Sequence, residues 1–199
     1  MNSLELFNQI YTLETERVYS KSLLSFFEST IRARLPNAPR ILDLGCGSKS
    51  IFEDIDLSGS NVTAIDFSPV AISKALILPN GISYKEVDLS TPDVLEKSAY
   101  DLIFDSHCLH CITDEANRKS AFTNIYQSLR PDGLFTTEMM VLPPNKTVVM
   151  PNKHVVEARA IEDEILSYGF KINYFLIVRD LVFGSENGDC DLVRVICRK

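Results

Sequence analysis

The chain has 199 residues, 45% of them hydrophobic and 24% charged, with a formal charge of −7. That length suits one domain with a substantial core, and that hydrophobicity excludes a disordered chain. The acidity, with no run of lysine or arginine to offset it, argues against a nucleic-acid partner.

The opening residues MNSLELFNQIYTLETER lack a basic start followed by an apolar run, and no stretch approaches the roughly 20 apolar residues that span a bilayer. The five cysteines, at 46, 108, 111, 190 and 197, form no paired framework. A cytoplasmic protein with no membrane partner is therefore expected, and nothing in the sequence sets its oligomeric state.

From Ser3 to about Arg34 apolar residues recur at helical intervals until Pro36, predicting one or two helices and a helical cap over residues 1–36. Residues 39–199 then form the core of a single domain. ILDLGC, NVTAID, ISYKEVD, YDLIFD and GLFTTEMMV read as strands, rich in β-branched and aromatic residues. SIFEDI, PVAISKAL, PDVLEK and DEANRKSAFTNIYQSL read as helices between them. This alternation predicts an α/β fold, doubly wound about a parallel sheet. After the proline-bearing VLPPNKTVVMPNK comes a helix in VVEARAIEDEILSYG, ended by Gly169. KINYFLIVRDLVF and DLVRVICRK read as an antiparallel pair joined by the turn GSENGD.

In ILDLGCGSKS two glycines follow a strand and precede a helical segment, allowing a sharp turn and close ligand approach to the backbone. Asp66 ends the next strand about 20 residues on, placed to accept from ribose hydroxyls. Asp88 closes the third strand and Asp105 the fourth, so three carboxylates line the crevice at the strand ends. A dinucleotide fingerprint would need glycine at position 50, which is Ser50. A P-loop is excluded by the lack of GK[ST]. The pattern points to a nucleoside without a phosphate chain.

These residues resemble the class I S-adenosylmethionine-dependent methyltransferases from Arg40 to Arg198. ILDLGCG, IDFSPVAISKA, VDLS, YDLIFDSHCLHCI and SLRPDGLFTTEMM carry the resemblance in order. It implies a Rossmann-like, seven-stranded sheet in the order 3-2-1-4-5-7-6, with strand 7 antiparallel, and S-adenosyl-L-methionine as cofactor. It also implies that Gly45, Cys46 and Gly47 line the methionine part of the cofactor, Asp66 binds ribose and Phe67 lies along the adenine, with Asp43 among the cofactor-binding residues. Asp88 would meet the adenine amino group and the Leu89 amide a ring nitrogen, while Asp105 and Ser106 would face the cofactor. Lys49 stands where family members often carry a further glycine.

The implied reaction is methyl transfer to a small-molecule acceptor, governed by proximity and orientation, with an optional general base. His107 and His110, after the fourth strand, are the catalytic candidates; Tyr11, Tyr19 and His154 are candidates for acceptor binding. Phe7 and Arg17 accompany the tyrosines, and residues 142–153 are expected to form a lid. Competing readings are methylation of protein or RNA, and a cofactor-binding regulatory protein without turnover. His107, Cys108, His110 and Cys111 lie too close together in sequence to converge on one ion, so no metal is expected.

Overall fold

The computed structural model describes residues 2–77, 80–144, 146, 150, 152–179 and 190–199. Helix α1 (Ser3–Leu13) begins on a capping box, with the Asn2 side chain accepting from the Glu5 N–H and Glu5 returning the bond. Helix α2 (Lys21–Phe26) begins on a Ser20 cap and continues through a π turn, Phe27–Ile31, and a 3₁₀ turn, Arg32–Arg34.

Parallel strands follow: β1 (Arg40–Leu44), β2 (Asn61–Asp66), β3 (Ser83–Glu86), β4 (Tyr100–Ser106) and β5 (Leu129–Leu142). Helix α3 (Pro69–Ala75) links β2 to β3, with Ser68 as cap and proline in its first turn. Helix α4 (Glu115–Ser128), capped by Asp114, precedes β5. The remaining elements are β6 (Val156–Glu157), α5 (Ala158–Ser167), β7 (Lys171–Val178) and β8 (Asp191–Arg198).

The sheet runs β3-β2-β1-β4-β5-β8-β7, with the two-residue β6 pairing beside β5. β8 is antiparallel to both neighbours and takes the place of the seventh strand of the expected order. The order is that of the Rossmann-like sheet expected from the sequence. The GSENGD turn lies outside the described residues.

Both faces of the central strands are buried, as parallel strands require. Leu42, Leu44 and Ile103 pack with Phe122 and Ile125 of α4 and Ile161 and Ile165 of α5. Ile41, Leu102 and Phe104 face the other way, onto Phe26, Phe27 and Ile31. Residues 21–34 are thus a structural layer of the core. α1 instead lies over the strand-end crevice and is tied to α3: Ser68 Oγ donates to Asn8 Oδ1 (2.5 Å), and Lys74 Nζ to the carbonyl oxygens of Tyr11 and Glu14.

Three expected elements change. SIFEDI forms only a 3₁₀ turn, Ile51–Glu53, where Ser50 captures the Phe52 N–H. PDVLEK is not helical; Asp93 and Ser98 have positive φ values of 54° and 49°, which a right-handed helix cannot contain. β3 ends at Glu86, so Asp88 lies on the loop beyond the strand rather than closing it.

Phe27 is fully buried and meets Phe52 and Phe104 edge-on at 5.5 and 5.9 Å. Phe27→Ala is expected to cost about 3–5 kcal/mol of stability by leaving a cavity between this helical layer and the sheet. Urea unfolding checks the value; a loss below about 1 kcal/mol would mean the layer contributes little to the fold.

Candidate active site

The chain leaves β1 through Gly45 and Gly47, at φ 60° and 62°. Both positions are also crowded. A Cβ on Gly45 would lie 2.5 Å from Cys108 Cβ, and one on Gly47 would strike the Arg17 guanidinium. The turns after β1 and β4 are therefore in direct contact, and glycine is the residue that permits it.

That turn delivers the Gly47 N–H to Asp66 Oδ2 at 3.0 Å, while Ser68 N–H donates to Oδ1 at 2.9 Å. The Tyr11 hydroxyl also donates to Oδ2, at 3.3 Å. Burial raises the Asp66 pKa, and the two backbone N–H bonds work against the rise. Arg17 donates to the Tyr19 hydroxyl at 3.2 Å.

A cavity of about 590 Å³ opens beside this turn, a size suited to a small organic ligand. Gly45, Asp66, Phe67, Asp88 and Leu89 line one part; His107, His110, Cys111, Met140 and Lys153 line another. Phe7, Tyr11 and Arg17 close it from the N-terminal side. Phe7 meets Phe67 edge-on at 5.5 Å. Asp88 Oδ1 accepts from the N–H and Oγ of Ser90 at 2.9 and 2.7 Å, which fixes the carboxylate at the cavity wall.

Other expected site residues lie behind this wall. Asp43 is fully enclosed and accepts from Ser50 Oγ at 2.6 Å. Asp105 Oδ1 accepts from the N–H groups of Cys108 and Leu109 at 2.9 and 3.1 Å, and Oδ2 from Thr137 Oγ1 at 2.5 Å. Its carboxylate holds the turn after β4 together and does not line the cavity. Ser106 and Cys46 are buried and do not line the cavity. Gly47 lies beneath Arg17. The Tyr19 hydroxyl donates to Lys49 O at 2.6 Å, braces the glycine turn and does not line the cavity. His154 is outside the lining residues, with its N–H donating to His110 O at 2.6 Å.

The two catalytic candidates separate. His110 is buried, its Nδ1 accepts from the Met140 N–H at 3.3 Å, and burial, with the charges of His107 and Lys153, pushes its pKa well down. It is a neutral, structurally committed ring. His107 is partly exposed to the cavity and its Nε2 lies 2.9 Å from Glu138 Oε1. The rings meet edge-on at 5.2 Å. Burial pushes the Cys108 thiol well up and Cys111 to about 11, so neither is a ready nucleophile. Among the described residues no three His, Cys, Asp or Glu side chains converge as metal ligands.

Residues 42–135 match the sequence model of the methyltransferase domain family. Over that stretch the chain is similar to class I S-adenosylmethionine-dependent methyltransferase domains. The cofactor of those domains is S-adenosylmethionine. A ubiquinone biosynthesis O-methyltransferase of Rickettsia prowazekii is 31% identical over 97 residues, covering 48% of this chain and 37% of the relative. Nodulation protein S of Azorhizobium caulinodans is 30% identical over 97 residues, covering 48% and 46%. The matched stretch thus spans less than half of either relative.

Among solved structures, a SAM-dependent methyltransferase of Methanosarcina mazei superposes with a TM-score of 0.69 at 17% identity, over 86% of this chain and 97% of its own. The cyclase SpnF gives 0.71 at 15%, over 96% and 80%. These two share the fold. The glycine turn, whose Gly47 N–H holds the Asp66 carboxylate at the cavity, and the loop carrying Asp88 and Leu89 fit a nucleoside cofactor.

Burial raises Asp43 to about 7, against the opposing hydrogen bond from Ser50. Because this folded-state pKa lies above the unfolded value, the native state keeps a proton that the unfolded chain releases. The resulting stabilisation is full below about pH 4 and is lost as pH rises to about 7. Asp43→Asn lacks that loss, so the melting temperature of the variant relative to the parent should rise across this interval. A constant difference between them would show that Asp43 does not titrate there.

Proposed function

We propose that the protein transfers the methyl group of S-adenosylmethionine to a small-molecule acceptor, with a hydroxyl or protonated amine as the receiving group. The observation that carries this reading is the continuity of the cavity, which joins Asp66, Asp88 and Gly45 to His107, Cys111 and Lys153 in one space of about 590 Å³. When bound, the cofactor supplies an electrophilic sulfonium methyl, leaving the protein to bind, orient and exclude water.

In this reading Asp66 accepts from the ribose hydroxyls, its carboxylate held by Gly47 and Ser68. Phe67 lies along the adenine, and Asp88 and the Leu89 amide meet the polar edge of the base. Arg17, reaching across the glycine turn from the N-terminal segment, is the cation available to a carboxylate at the amino-acid end. His107 takes the proton of the acceptor.

The name of the Rickettsia relative, a ubiquinone biosynthesis O-methyltransferase, favours a small acceptor, and so does the charge of −7, which disfavours RNA. Lys49, in the place of the glycine that family members often carry, has a structural role: its Nζ pairs with Asp54 at 2.7 Å. SpnF has the same fold and is a cyclase, so turnover must be tested directly.

Calorimetry with S-adenosylmethionine, S-adenosylhomocysteine and NAD should show binding of the two sulfur nucleosides and no binding of NAD. Incubation with S-adenosylmethionine and a panel of phenols, amines, thiols and carboxylates should release S-adenosylhomocysteine. Absence of both results would refute the proposal, whereas binding without release would favour a regulatory protein. Asp66→Ala should weaken S-adenosylhomocysteine by about 1–3 kcal/mol. His107→Gln should slow transfer to hydroxyl acceptors about 100-fold with little change in that affinity; an equal rate would remove His107 from the mechanism.

A further inference from the structure

Glu138 is a charged residue in the middle of β5, flanked by the buried Phe135, Met139, Met140 and Val141, and is only 2% exposed. Its Oε2 accepts from Arg194 Nε at 2.5 Å, and Arg194, on β8, is 4% exposed. The register pairs these two residues directly across β5 and β8. A buried ion pair commonly contributes little net stability, since an apolar pair of similar volume packs as well without the cost of desolvating two charges. Stability alone therefore gives little reason for this pair.

The second carboxylate oxygen supplies one. Glu138 Oε1 lies 2.9 Å from His107 Nε2, and the Glu138 carbonyl accepts the His107 N–H at 3.1 Å. His107 has φ 68°, an unfavourable conformation for a residue with a side chain. It is thus held in a strained backbone conformation by both the main chain and the side chain of Glu138. Burial works to raise the Glu138 pKa, but the His107 hydrogen bond and the nearby charges of His107 and Arg194 hold it below the usual carboxylate range. Arg194 also reaches the N-terminal layer, donating to Ser22 O at 3.2 Å and Ser22 Oγ at 3.0 Å, with its guanidinium over the Phe26 ring.

We infer that Glu138 and Arg194 are positioning residues for His107. Arg194 anchors Glu138, and Glu138 accepts the Nε2 proton of His107, so that Nδ1 of the neutral ring is the proton-accepting atom. As Nδ1 takes the acceptor's proton, the imidazolium is stabilised by the nearby negative charge of Glu138, and the acceptor oxygen or nitrogen keeps the electron pair of the broken O–H or N–H bond. That pair would bond to the methyl carbon while the methyl–sulfur bond breaks and its pair returns to the sulfur of S-adenosylhomocysteine. The carboxylate orients and stabilises the ring without itself taking the proton. This inference rests on the methyl-transfer reading of the cavity.

The test combines ¹⁵N NMR of the histidine rings with kinetics on the best phenol from the panel. In the parent protein without ligand, neutral His107 should be the Nε2–H tautomer. Glu138→Gln can either accept or donate at that position and should give mixed tautomers, with kcat at least 10-fold lower and S-adenosylhomocysteine affinity within twofold of the parent. The variant Glu138→Gln with Arg194→Met removes the unpaired buried cation and should show the same loss, which separates misfolding from misplacement of the base. In a His107→Gln background, Glu138→Gln should produce no further loss of kcat. An Nδ1–H tautomer in the parent, or an undiminished kcat in a folded Glu138 variant, would overturn the inference. Failure of the parent to bind S-adenosylhomocysteine would instead overturn the methyl-transfer reading, because the tautomer is read without ligand.

Discussion

The crevice depends on one close approach: the backbone at Gly45 passes so near Cys108 that a single added carbon would collide with it. Two strand-end turns, after β1 and β4, are pressed together there. The contact places the Gly47 N–H on Asp66 and brings the loop bearing His107 to the same cavity. Asp105 sustains the contact from below by accepting the two N–H groups that open its own turn, and Thr137 fills its other oxygen. Its burial raises it to about 6, so the hydrogen bonds only partly offset the desolvation of the charge.

Around that contact the molecule divides its carboxylates into two kinds. Asp43 and Asp105 are enclosed and organise backbone and hydroxyl groups, while Asp66 and Asp88 present themselves at the cavity. Glu138 belongs to neither kind, since it is enclosed yet directed at a cavity residue, His107. The N-terminal segment is divided as well. Residues 21–34 form part of the buried core, whereas α1 and Arg17 lie against the crevice, where Tyr11 already bonds to Asp66. In the proposed function, a ribose at Asp66 would exchange with or accommodate the Tyr11 hydroxyl, and α1 is the element whose displacement would allow it.

Much of the scaffold was legible from periodicity. The apolar runs of β1, β4 and β5 could only be buried on both faces, and the glycines after β1 marked a turn with positive φ. Ser68–Pro69 and Asp114 announced the starts of α3 and α4. SIFEDI and PDVLEK misled because their composition suits a helix, while capping by Ser50 and the left-handed residues Asp93 and Ser98 divert the chain into turns. Glu138 and Arg194 each place a charge within a buried run of their strand, and two such charges on adjacent strands imply a partnership.

The sequence by itself determined the order of elements, the doubly wound sheet and the acidic residues after its strands, because those depend on local pattern and short-range turn chemistry. Only the tertiary structure decided which strand-end carboxylates reach the cavity, that SHCLHC supplies one mobile-proton candidate and one committed histidine, and that Arg17 crosses the glycine turn. These depend on contacts between residues far apart in the chain, such as His107 with Glu138 and Glu138 with Arg194. Spacing along a sequence encodes which face a residue occupies, but it does not encode which distant group meets it there.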